Sequence, residues 1–198
     1  MATTSIAVAV ALAGCASTGT GTGTGTDTDT DTDTDTDQTA PTVDTTASSE
    51  QSQIYSAALQ QLLRVDNPHA GAPAPPPSVH IVDGPASRSS ELFIAADGPQ
   101  LASDVKKEIA AQSEPITTVE FITAPEQQRI IERGGAVEGD PGGVIVGLAA
   151  PAYQDDGTVR IGAGLWCGFD CGIGLIYVLD DVDGQWTVTG TTGPVTIA

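Results

Sequence analysis

Lysine and arginine are scarce in this chain. There are seven among 198 residues, against 26 Asp and Glu, and the formal net charge is −19. Phosphate binding needs clustered cations, and the seven here are scattered along the sequence. Nucleic acid is therefore excluded as a partner, and so is docking on anionic lipid through a polybasic surface. Aromatic residues make up only 4% of the chain. No apolar run reaches the ~18–20 residues that a membrane-spanning helix needs. There are only two histidines and no Gly-x-Ser-x-Gly elbow, so the commonest hydrolase signature is missing. The length suits one domain with tails.

The first 50 residues lack Phe, Trp, Tyr, Lys and Arg altogether and hold eight of the acidic residues. What they do contain is ordered by composition. Ile6 to Ala13 form a short apolar run followed by Gly14 and Cys15. This reads as a signal peptide over residues 1–14, too short to span a membrane. Met1 to Ser5 carry no Lys or Arg, whereas a signal normally opens with positive charge, which points to a start upstream of Met1. The stretch Leu12-Ala13-Gly14-Cys15 resembles the lipobox of bacterial lipoproteins. That resemblance covers about the first 15 residues. It implies cleavage before Cys15, transfer of a diacylglycerol to the Cys15 thiol, and acylation of the new amine. The expected location is extracytoplasmic, lipid-anchored to the cell membrane or the outer membrane, with the membrane reached through the anchor at Cys15. Ala16 stands where an Asp would be associated with inner-membrane retention.

Residues 15–47 read as a disordered tether. Gly-Thr repeats pass into Asp-Thr repeats between residues 19 and 37. There is no apolar face to bury, and the alternating carboxylates repel one another and extend the chain. Residues 48–198 read as a single α+β domain. Ser48-Ser49-Glu50-Gln51 has capping-box spacing. Ile54, Tyr55, Ala58, Leu59, Leu62 and Leu63 then recur at helical steps up to Asn67-Pro68,. A proline-rich loop over residues 68–77 follows. Short strands are expected at Ser78–Asp83 and Glu91–Ala95. Asp97-Gly98-Pro99-Gln100 has the spacing of a second capping box, opening a helix with Leu101, Val105 and Ile109. Ile116 to Ile122 is β-like, and Pro125 starts a short helix closed by Gly134-Gly135. From Val144 onward, apolar residues alternate in successive runs separated by Asp156-Gly157 and Asp183-Gly184 turns,. The fold expected is N-terminal helices packed on one face of a C-terminal four-stranded antiparallel meander. The order, with Gly184-Gln185-Trp186-Thr187-Val188 as last strand, is similar to NTF2-like and cystatin-like domains over about residues 140–190. That resemblance implies a helix lying in the curve of the meander and brings no activity with it.

Cys167-Gly168-Phe169-Asp170-Cys171-Gly172 holds the only thiols besides Cys15. In an oxidising compartment paired cysteines usually join, so Cys167 and Cys171 are expected to form a disulfide at a hairpin tip. The spacing is not that of a redox Cys-x2-Cys motif. A zinc site would want two more ligands, and His69 and His80 lack ligand spacing. Asp180 to Gly184 fails as a calcium loop, because Leu179 and Gly190 occupy carboxylate positions,. Gly162-Ala163-Gly164 fails as a dinucleotide loop. No metal and no cofactor are therefore expected. Glu114, Glu120, Glu126, Glu132 and Glu138 recur every six residues, matching neither a helix face nor a strand face. No set of catalytic residues stands out. The function expected is a lipid-anchored envelope protein with a non-catalytic binding or interaction domain, its protein or small-molecule partner unnamed by the sequence. The alternatives are an enzyme with an NTF2-like pocket using His80 or a core carboxylate as base, and a purely structural surface protein. They separate on whether the space between the first helix and the meander is filled or hollow.

Overall fold

The structure, a computed structural model, describes residues 45–68, 76, 78–85, 97–132, 143–168 and 170–197. The signal segment, Cys15, nearly all of the tether, His69 and the strand expected at Glu91–Ala95 lie outside the described residues. The elements are α1 (Thr45–Arg64), β1 (Ser78–Val82), α2 (Ser103–Ser113), β2 (Thr118–Ile122), α3 (Ala124–Glu132), β3 (Val144–Leu148), β4 (Ala152–Tyr153), β5 (Val159–Gly168), β6 (Cys171–Val182) and β7 (Gln185–Ile197).

Helix α1 forms because Ala, Leu and Gln dominate it, all good helix formers. One stripe of it is apolar. Ile54, Tyr55, Ala58, Leu59 and Leu62 are fully buried, and Leu63 nearly so. Each large side chain so buried contributes about 1.5–3 kcal/mol. The helix begins at Thr45, three residues before the expected boundary at 48, so Ser48 is not its cap. The Ser48 hydroxyl instead bonds the Asp104 carboxylate of α2 and holds that carboxyl below the usual range. The second expected capping box is not realised either. Helix α2 starts at Ser103, with Ala102 in the cap position and no side-chain cap.

The protein combines helices and strands as expected, but the sheet is not a four-stranded meander. It has seven strands in the order β2-β1-β3-β5-β6-β7, with β4 paired to β5. Strand β1 pairs in parallel with both β2 and β3. The pairs β3–β5, β5–β6 and β6–β7 are antiparallel. The helices are not gathered at the N-terminus, since α2 and α3 alternate with strands. Parallel neighbours require long crossovers, usually helical, and α2 and α3 supply them. The helices also do not share one face. Helix α2 places Val105 and Ile109 in the main core with the buried stripe of α1. Helix α3 places Ile130 and Ile131 against Val82, Ile122, Ile145 and Trp166. Right-handed crossovers account for the difference. The path steps outward from β1 to β2, then back past β1 to β3. Reversing direction with the same hand puts the second helix on the opposite face.

Strand polarity follows from this layering. Val144 to Leu148 are buried at every position, as expected for a strand covered on both sides. In β5, Val159, Ile161, Ala163 and Leu165 face the main core, joined by Leu175, Tyr177 and Leu179 of β6. The β6–β7 connection is the two-residue Asp183-Gly184 turn between paired Val182 and Gln185. Both turn residues have positive φ, 55° and 80°, the geometry of the primed turn that matches strand twist.

Candidate functional site

Three places assemble polar groups near the sheet. The first is the C-terminal end of the parallel strands, where open α/β sheets usually bind ligands at a reversal of strand order. Here β1 and β3 straddle that reversal. Asp83 follows β1, but both of its oxygens are engaged within the chain. Oδ1 accepts from the Leu101 backbone N–H at 2.8 Å, and Oδ2 accepts from Lys106 Nζ at 2.7 Å. Lys106 also lies 5.9 Å from the centre of the Phe121 ring. Gly98 closes over the strand ends. A Cβ there would sit 2.6 Å from the Leu148 carbonyl oxygen and 3.0 Å from that of Gly84, so only glycine permits this approach. These groups pin the start of α2 to β1 and β3.

The second place is His80. Parallel register sets it opposite Glu120. Its Nδ1 lies 3.5 Å from Glu120 Oε2, and its Nε2 lies 3.5 Å from Ser78 Oγ. His80 is buried, on the face that carries α3. Both distances exceed the ~2.6–3.2 Å of a working proton-transfer hydrogen bond. The sequence pointed to His80 but set Glu120 aside within a meaningless six-residue series. Strand pairing across forty residues is what joins them.

The third place is a groove on the opposite face, bounded by α1, the end of α2 and the β6–β7 turn. Gln53, Ser56, Ala57 and Gln60 of α1, Gln112 of α2, and Gly184, Gln185 and Trp186 line a depression of about 430 Å³. A second, of about 300 Å³, shares Ala57, Gln60 and Trp186 and continues past Gln61, Arg64, Val65, Thr187 and Val188. Trp186 is held between core and solvent. It pairs with Asp181 across the hairpin, is half-buried and packs partly on the main core. Sequence reading used Trp186 only as a strand marker. The glutamines carried no signal, because surface amides follow no period.

Beneath the groove the space between α1 and the sheet is filled. Tyr55, Leu59 and Leu62 meet Tyr177 and Leu179 there, each fully buried. Burial pushes the Tyr55 and Tyr177 phenols above their ordinary range. The Tyr177 hydroxyl donates to Asp66 Oδ2 at 2.8 Å, and Gln61 Nε2 donates to the same oxygen at 3.2 Å. This ties β6 to the end of α1.

At the far end of β5, Cys167 and Cys171 are joined by a disulfide, with Cα atoms 5.1 Å apart. Register shifts between Trp166 and Gly168, so Cys167 is a bulge residue turned toward its partner. No group of three or more His, Cys, Asp or Glu residues able to hold a metal occurs among the described residues. No helix among them is long and apolar enough to cross a membrane.

No protein-family model, curated protein or solved structure matches this chain. The lipoprotein and NTF2-like resemblances therefore rest on the residues that carry them.

Proposed function

We propose that the protein is a lipid-anchored, extracytoplasmic binding protein whose groove between α1 and the β6–β7 hairpin is its contact surface. Leu12-Ala13-Gly14-Cys15 motivates the anchor. The observation that carries the compartment is the Cys167–Cys171 disulfide, because such bonds persist in oxidising surroundings and are rare in the cytosol. It also leaves Cys15 as the chain's one cysteine outside that pair. A binding role is favoured over a pocket enzyme because Tyr55, Leu59, Leu62 and Tyr177 fill the space under α1, while the polar concavities open outward.

The reading is tested by feeding a fatty-acid probe to bacterial cells that make the protein. The wild type should take up the label and fractionate with membranes. Cys15→Ser should lose the label and leave the membrane fraction. An unlabelled, soluble wild type would refute the anchor.

The Ser78–His80–Glu120 arrangement favours a second reading, a hydrolytic or proton-transfer site with His80 as base. In that case His80→Gln would abolish turnover of a screened ester substrate while leaving thermal stability near that of wild type. Turnover unchanged by His80→Gln would exclude it.

A further inference from the structure

The groove has a chemistry that selects its ligand. We infer that it binds a neutral oligosaccharide with Trp186 as the stacking platform, an assignment that rests on the binding reading above. Gln53, Gln60 and Gln185 line the first depression, and none of their amides has a side-chain hydrogen-bond partner among the described residues. Each amide offers one acceptor oxygen and two N–H donors. That mixed set matches a ligand whose edge alternates hydroxyl donors and acceptors.

Charge points the same way. In a chain of net charge −19, none of the eight residues lining the first depression is charged, and only Arg64 is charged in the second. An anionic ligand would meet the repulsion of the whole chain. A cationic one would find no carboxylate lining either depression. A neutral ligand pays neither cost.

Trp186 adds an apolar surface beside the amides, and an indole presents a large hydrophobic face with little conformational freedom to lose. A pyranose ring has the complementary build, with a face of C–H groups and an edge of hydroxyls. Two depressions sharing one tryptophan, each open along one side, suit a chain of sugars better than a single ring.

The test uses the full chain and an array of neutral oligosaccharides that includes tetramers of β-1,4-linked N-acetylglucosamine and of α-1,4-linked glucose. Hits are titrated by calorimetry and by intrinsic tryptophan fluorescence. Trp166, the other tryptophan, is 2% exposed in the core on the opposite face, so a ligand-induced change reports Trp186. At least one oligosaccharide should bind saturably. Trp186→Ala should weaken it by at least about tenfold, as removal of a central aromatic anchor does. Gln60→Ala and Gln185→Ala are surface changes that keep the fold, and each should weaken it by roughly threefold to tenfold. The variants' circular dichroism should match wild type.

Absence of binding across the array by folded protein would overturn the ligand assignment. So would binding that Trp186→Ala, Gln60→Ala and Gln185→Ala all leave unchanged. Fatty-acid labelling at Cys15 is read separately, so the ligand assignment can fail while the anchored reading stands, or the reverse.

Discussion

Replacing Tyr177 by Phe should destabilise the protein at neutral pH and stop doing so at high pH. The Tyr177 ring is fully buried, and Phe keeps its shape while deleting the hydroxyl that donates to Asp66 Oδ2 at 2.8 Å. A hydrogen bond to a charged group contributes about 1.5–3 kcal/mol. Asp66 keeps Gln61 as a donor and is only half-buried, so water can replace part of the loss. The expected cost is therefore about 1–2 kcal/mol. For a domain of this size that is a fall of roughly 3–6 °C in Tm.

The pH dependence has a definite sign. Burial, with the Asp66 carboxylate beside it, raises the Tyr177 phenol above its ordinary value. The folded protein thus keeps a proton that the unfolded chain releases above about pH 10. The contribution is fully present below that pH and falls above it, by about 1.4 kcal/mol per pH unit for each such tyrosine. Phe cannot ionise and escapes this loss. The wild-type advantage should vanish about 0.7 to 1.5 pH units above 10. Chemical unfolding followed by circular dichroism at several pH values, with tyrosinate absorbance of the native protein alongside, measures both effects. A stability difference that stays constant from pH 8 to 11, or native tyrosines that all ionise at the ordinary phenol pKa, would refute the reasoning.

Gly98→Ala should cost about 1–3 kcal/mol by overpacking, because the nearest atoms are the backbone carbonyls of Leu148 and Gly84, which cannot swing aside; an unchanged urea midpoint would contradict this. Asp83→Asn keeps an acceptor for Leu101 but loses the ion pair with Lys106, whose two side chains are 13% and 26% exposed. It should cost about 1–3 kcal/mol in thermal unfolding, and Lys106→Met in the same background should add little more. Cys171→Ser opens a loop of sequence separation 4, worth about 2 kcal/mol in chain entropy. Hydrogen exchange should quicken at the β5–β6 tip and stay slow along α1, and loosening of α1 would mean that the constraint is not local.

The legible parts of this molecule were those written in local pattern. The leucine stripe of α1, the Asp183-Gly184 turn and the Cys167–Cys171 pairing all lie within spans that periodicity or spacing can read. The parallel strands were not legible. Val79, His80 and Ile81 meet partners near residues 119–121 and 144–146, and no local feature encodes a register across such distances. Missing them also misplaced α3, whose side of the sheet is fixed by the order of crossovers and not by its own amphipathic face. Capping boxes misled for a related reason. Ser48 had the spacing of a cap, but a tertiary bond to Asp104 took its hydroxyl. Of the candidate sites, His80 was visible as a residue but not as a pair with Glu120. The groove was invisible, since Gln53, Gln60, Gln112 and Gln185 come from three elements that only folding brings together.

The most direct test is the intact mass of the protein recovered from bacterial cells expressing it, with membrane and soluble fractions measured separately. The account predicts a chain that begins at Cys15, heavier by its acyl groups and lighter by the two hydrogens of the Cys167–Cys171 bond. A chain that retains residues 1–14, carries no lipid and has both hairpin thiols open to alkylation would contradict it.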